Sequence, residues 1–341
     1  MSQAVAPADR AASGTANRPA QSRRTMLDLA RLLAVYAIVW LHNVQSPALE
    51  RSRALGRFAV PLFVFLTIFL VFEGVSRNPW RSWGQYARSR AVRLYLPFLA
   101  WSGIYLAFKA IKGRLLPGEP NDYPGIEILW LGACYHLWFL PFILAVSLLA
   151  FGAAKLVVAR PGWVPLLVVV FVAAGLALGF LPSPARLATL SEYWALVPNA
   201  LPAVAWGLAL AVACRTLGAG ALEDRRAALG GAVAFALATA WVWHAGRARL
   251  AETVAGLAVL LVALTPVDQR RFARFGRAGS LAFGIYLCHV LWIKIFQAAA
   301  MKAGLPISWQ RDLGVFLLAA TASTLLAWSL SRGRWTRWLI A

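Results

Sequence analysis

From residue 27 to residue 331 the chain alternates long apolar runs with short polar ones. Ten runs are predicted to be membrane-spanning helices, at about 27–46, 57–76, 92–111, 136–157, 163–181, 193–214, 227–245, 250–266, 280–301 and 312–331. A helix rising ~1.5 Å per residue needs ~20 mostly apolar residues to cross a hydrocarbon core ~30 Å thick. Lipid offers the backbone no hydrogen-bond partners, so the predicted fold is an all-α polytopic membrane protein. One segment breaks the pattern. Pro79–Arg93 (PWRSWGQYARSRAVR) mixes Trp and Tyr with Arg81, Arg88, Arg90 and Arg93, which predicts an amphipathic helix lying in the interface. Residues 1–25, rich in Ala, Ser, Pro and Arg, read as a disordered cytoplasmic tail, 26–331 as the membrane domain, and 332–341 as a short C-terminal tail.

Charge refines this picture. The 341 residues include 34 Lys+Arg against 13 Asp+Glu, a net +21 that in a soluble protein would suggest nucleic acid. Here the basic residues cluster between the apolar runs, so membrane lipids are the expected partners and nucleic acid is not. Lys and Arg between the runs number 21 on the N-terminal side and 10 on the other. That bias predicts both termini in the cytoplasm, as ten spans across the inner membrane would leave them. Arg51, Arg53 and Arg57 run against the rule. Cys134, Cys214 and Cys288 show neither pairing pattern nor metal-ligand spacing, so no disulfide framework, metal or permanently bound cofactor is expected. The chain has no Walker loop, dinucleotide fingerprint, GxSxG elbow or HExxH motif, which argues against ATP-driven transport, zincin chemistry and an α/β-hydrolase mechanism.

Ionisable residues inside spans are costly and mark candidate sites. The first run carries Asp28, Arg31 and His42. Eleven residues separate Arg31 from His42, nearly three helical turns, so both point to one face about 16 Å apart along the axis. Asp28 lies within pairing reach of Arg31. Taken alone, His42 is equally a structural histidine and Arg31 a snorkelling cation. Arg90 and Arg93 share a face where the interfacial segment meets the third span. Guanidinium groups grip phosphate well, although a positive-inside anchor would look the same. His136, Trp138 and Phe139 (HLWFLP) open the fourth run, and SLAFGIYLCH sets Ser280, Tyr286 and His289 along the ninth. Aromatics of this kind stack on sugars or simply populate interfacial belts.

Together and in order, LDLAR through His42, VPLFVFLTIFLVFEG, RAVR at 90–93, HLWFLPF and SLAFGIYLCH resemble the acyltransferase-3 family of membrane acyltransferases, in its stand-alone form without a fused hydrolase-like domain. The resemblance runs from about 26 to 331. It implies transfer of an acyl group, acetyl in the first instance, from cytoplasmic acyl-coenzyme A to a hydroxyl of a carbohydrate or lipid-linked glycan, as in cell-envelope or exopolysaccharide O-acetylation. It implies Arg31, Arg90 and Arg93 as donor-binding residues and His42 as catalytic. Asp28, Thr67, His136, Trp138, Tyr286 and His289 would support the site or the acceptor pocket. Thr67-Ile68-Phe69 stands where the family commonly has Ser-Gly-Phe, so a site of close backbone approach is lost. The readings from other classes are a transporter or flippase of a glycan or lipid intermediate, which ten spans would also fit, and a membrane scaffold or polymerase-like glycan protein whose basic faces hold lipid head groups.

Overall fold

The structure is a computed structural model that describes residues 19–115, 125–180, 196–217, 225–245, 249–265 and 278–340. Every regular element among them is helical, and all ten predicted runs appear as helices in the predicted order. They are α1 (Pro19–Asn43), α2 (Ala59–Arg77), α4 (Leu96–Leu115), α5 (Phe139–Ala159), α6 (Val164–Phe180), α7 (Val197–Leu217), α8 (Arg225–Ala245), α9 (Arg249–Leu264), α10 (Ala282–Lys302) and α11 (Trp309–Arg332). All but α8 and α9 are long and apolar enough to cross a membrane, eight segments in all among the described residues. The other two pack against each other, α8 contributing the shorter apolar stretch Arg226–Trp241 and α9 only 16 residues. The chain is a multi-pass integral membrane protein.

The interfacial segment forms α3 (Trp83–Arg90), opened by a capping box between Ser82 and Gln85. A π-helical turn, Ala91–Tyr95, then joins it to α4. Trp80 is 90% exposed whereas Tyr86 is buried against α5, an amphipathic arrangement. Two ends differ from expectation. Helix α1 begins at Pro19, inside the segment read as a disordered tail, because proline's fixed φ suits the first helical position and no breaker follows before the apolar run. The C-terminal tail also packs. It turns at Gly333, forms a short 3-10 helix over Arg337–Leu339, and buries Ile340, while Trp101 Nε1 donates to the Leu339 carbonyl at 3.1 Å. The apolar Ile340, seated against Gly284, carries this packing, which the neighbouring arginines concealed. Residues 1–18, Arg186, Arg247 and the arginines at 270, 271, 274 and 277, which enter the charge bias, lie outside the described residues.

Helices α1 and α2 form the centre. α1 packs against α2, α9, α10 and α11, and α2 against α5, α7 and α9. Ala34, Val35 and Val39 of α1 and Leu62, Val64 and Ile68 of α2 are fully buried. By contrast, α6 exposes Leu166, Val169, Val170 and Leu176, the composition of a face turned to lipid. Polar pins fix the bundle: Tyr36 and Thr324 join α1 to α11 through their hydroxyls at 2.8 Å. The glycine missing from α2 is supplied by its neighbour. A Cβ on Gly207 of α7 would lie 2.7 Å from Ile68 Cδ1, so this bare backbone admits the larger Ile68 side chain.

Candidate functional site

The two ends of α1 open into different cavities. At one end lies a cavity of about 340 Å³, lined among others by Arg31, Thr67, Arg90, Arg93, Ser280 and Tyr286. Four segments distant in sequence supply these groups. Asp28 holds Arg31 in place, with Oδ1 accepting from Nη1 at 2.6 Å. Arg90 is held by Tyr86: its Nε donates to the phenol oxygen at 3.1 Å, and its guanidinium lies 5.4 Å from the ring centroid. The Tyr86 hydroxyl in turn donates to the Ser147 carbonyl of α5 at 3.3 Å, and its ring stacks on Phe151 at 4.1 Å. The π turn immediately after Arg90 carries Arg93 to the same cavity. Such turns widen the helix and re-aim side chains. Arg88 is exposed and lines neither of the two cavities described here.

At the other end is a cavity of about 150 Å³ lined by His42, Arg53, Arg57, His136, Trp138 and Glu252, with Tyr286 and Phe139 at its base. Phe139 and Tyr286 belong to both linings, so these two rings, 6.0 Å apart, form the septum between the cavities. His42 lies on one side of it and Arg31, Arg90 and Arg93 on the other.

Three histidines meet beside the septum. The His42 ring stacks on His289 at 5.5 Å, and the His136 ring meets His289 edge-on at 4.9 Å. Neighbouring groups set their orientation. His289 Nδ1 sits 2.6 Å from the Tyr286 carbonyl, so it carries the proton and donates it, leaving Nε2 as the bare nitrogen. His136 Nε2 lies 3.4 Å from the Leu287 carbonyl, and its own carbonyl accepts from the Tyr286 hydroxyl. Tyr105 completes the frame, donating to the Leu287 carbonyl at 2.9 Å while accepting from the Leu291 amide at 3.2 Å. His289 is fully buried and absent from both linings, whereas His42 is only part-buried and opens onto its cavity. His136 also lines that cavity but is itself 2% exposed. Of the three, His42 is the one a bound molecule reaches most readily. Among the described residues no group of three or more His, Cys, Asp or Glu side chains is placed to hold a metal ion.

Of the residues singled out from the sequence, Arg31, Thr67, Arg90, Arg93 and Ser280 line one cavity, His42, His136 and Trp138 the other, and Phe139 and Tyr286 both; Asp28 bonds to Arg31, and His289 stacks on His42, without lining either. Sequence reasoning missed several neighbours. Tyr86 was legible as an aromatic one turn before Arg90. Gly279 packs directly on the Asp28 backbone and leaves no room for a Cβ. Asp312, 2% exposed at the start of α11, accepts from the amides of Gln45 at 3.1 Å and Ser46 at 2.8 Å, just past His42. An acidic residue in the first turn of an apolar span was its only signal.

The family described as "Acyltransferase domain" matches residues 25–332, nearly all of the chain. No curated protein and no solved structure matches it.

Proposed function

The chain belongs to the acyltransferase-3 family, and from that premise we propose that it is a membrane O-acyltransferase moving an acyl group, acetyl in the first instance, from acyl-coenzyme A to a hydroxyl of a carbohydrate or lipid-linked glycan. The observation that carries this reading is the pair of cavities meeting at Phe139 and Tyr286, one with three guanidiniums, the other with an accessible histidine. Arg31, Arg90 and Arg93 neutralise the phosphates of the donor. Guanidinium forks match phosphate oxygens and hold them with parallel hydrogen bonds. The Phe139 and Tyr286 rings, in contact at 6.0 Å, part to let the slender pantetheine arm bring the thioester carbonyl to the His42 side.

There His42 takes the proton of the acceptor hydroxyl. The oxygen attacks the thioester carbon, the C–S bond breaks, and the released thiolate recovers a proton, so that an alcohol and a thioester become an ester and a thiol. Histidine suits the step because a neutral imidazole offers a bare ring nitrogen that accepts a proton, and general base catalysis contributes about 10²–10⁴-fold. The alternative in which His42 itself carries the acyl group uses the same residue and the same balance. His289 and His136 brace His42 and the septum, and Thr67 offers a hydroxyl on the donor side. The Arg31 end of α1 faces the cytoplasm, where acyl-coenzyme A is made, and both termini lie on that side. The 21-to-10 charge bias supports this orientation.

The test is thiol release. Purified protein in nanodiscs, given acetyl-coenzyme A and an oligosaccharide acceptor, should release free thiol and yield an acylated product in equal amounts. Movement of a glycan across a sealed bilayer with no thiol released would instead mark a transporter.

A further inference from the structure

Two of the three arginines that oppose the charge-orientation rule, Arg53 and Arg57, have a place in the fold. Residues Pro47–Gly56 form a 3-10 segment that returns along α1, pinned where Trp40 Nε1 donates to Ser52 Oγ at 3.0 Å. This sets Arg53 and Arg57, one turn apart, on the wall of the His42 cavity. Arg57 faces Glu252 of α9 at 3.9 Å. Arg53 pairs with Glu50 at 3.0 Å, but Glu50 is exposed and not part of the lining. A third guanidinium stands behind the wall: Arg249 Nε donates to Asn199 Oδ1 at 2.9 Å, and Asn199 lines the cavity.

The lining thus presents two guanidiniums against one carboxylate, around a histidine and an indole. A neutral sugar is held well by hydroxyl-matching amides and balanced ion pairs. An excess of guanidinium facing a small, low-dielectric cavity attracts anionic oxygens, and the planar fork fits a carboxylate or a phosphate with two parallel bonds. We propose that the His42 cavity selects an anionic acceptor, a glycan whose carboxylate or phosphate is gripped by Arg53 and Arg57 while its hydroxyl faces His42. This inference rests on the acyltransferase reading and adds the acceptor's chemical class. It also gives Arg53 and Arg57 a role on the flank that the orientation rule leaves poor in arginine.

Three acceptor probes separate the possibilities: a glucuronic acid trisaccharide, its carboxyl-reduced neutral counterpart, and that neutral trisaccharide bearing one phosphate. Acyl transfer from radiolabelled acetyl-coenzyme A is measured at sub-saturating acceptor with full-length protein in nanodiscs. One or both charged probes should be acylated about ten- to a hundred-fold faster than the neutral one, the range expected for one charge-assisted contact, and the better of the two identifies the anion. The preference should shrink as salt rises. Arg53→Gln should cut it about ten-fold, and Arg53→Gln with Arg57→Gln should abolish it. Arg53→Gln alone keeps the test open if the Arg57 change prevents folding, since an exposed ion pair such as Arg53–Glu50 contributes little to stability. Equal transfer to all three probes overturns the proposal, as does a charge preference that survives in these variants. Thiol release from no probe overturns the acyltransferase reading, and the proposal with it. Thiol release without preference overturns the proposal alone.

Discussion

Asp312, outside both cavities, anchors the end of α1 that carries His42. Its carboxylate oxygen accepts the amides of Gln45 and Ser46, its backbone carbonyl accepts from Asn43 Nδ2 at 2.5 Å, and Gln297 Nε2 donates to the Asn43 carbonyl at 3.1 Å. The last turn of α1 is therefore tied to α10 and α11 one residue beyond His42. Asp312→Ala removes both amide contacts. Each hydrogen bond to a charged group contributes about 1.5–3 kcal/mol. Gln45 is exposed and its amide finds water, whereas Ser46 is buried and its amide does not. The expected loss is about 2–4 kcal/mol, and about 1 kcal/mol for Asp312→Asn, which keeps the volume and a neutral acceptor. Thermal unfolding of the purified variants in one detergent orders them wild type, Asn, Ala. Because the chain end displaced is the one carrying His42, acyl transfer at a temperature where all remain folded should show a lowered kcat and an unchanged KM for acyl-coenzyme A. Wild-type stability in the Ala variant would refute the anchoring argument. Lost stability with kcat intact would show that the anchor does not position His42.

Arg93→Ala should raise the KM for acyl-coenzyme A ten- to a hundred-fold with insertion unaffected, and Arg90→Ala should do the same; an unchanged KM in the double variant returns both residues to the role of membrane anchors. Gly279→Ala should cost about 1–3 kcal/mol of stability, because the new methyl meets the Asp28 backbone rather than a yielding side chain, and should raise the donor KM by displacing Asp28 and Arg31; normal unfolding and kinetics would contradict it. Reporter fusions after residues 120 and 190 should read as periplasmic and those after 222 and 274 as cytoplasmic; a cytoplasmic signal at 120 reverses the orientation.

How much of this was legible in the chain depends on which force wrote it. Helices follow from apolar length, so all ten runs appear where the sequence sets them. The candidate site residues were legible because ionisable groups among apolar neighbours stand out: Arg31, His42, His136 and His289 needed no tertiary information to attract notice. Long-range packing left no such mark. Nothing local shows that Gly207 of α7 relieves Ile68 of α2, or that Gly279 seats against Asp28. Arg53 and Arg57 looked anomalous because the orientation rule counts charges without knowing that a loop folds back over a cavity. Length was the other weak point. α9 is only 16 residues and carries Glu252, whose partner Arg57 lies in another segment, so its apolar run alone could not say how much of a bilayer it crosses.

The central claim is that His42 performs the proton transfer while His136 and His289 brace it. The direct measurement is acyl transfer by His42→Ala, His136→Ala and His289→Ala, each confirmed as folded and inserted, with acyl-coenzyme A affinity determined separately. The account predicts a loss of at least ~10²–10⁴-fold for His42→Ala with donor affinity intact, and smaller losses for the other two. Near-normal transfer by the His42 variant, with transfer lost in the His289 variant, would contradict it and move the base to the buried histidine.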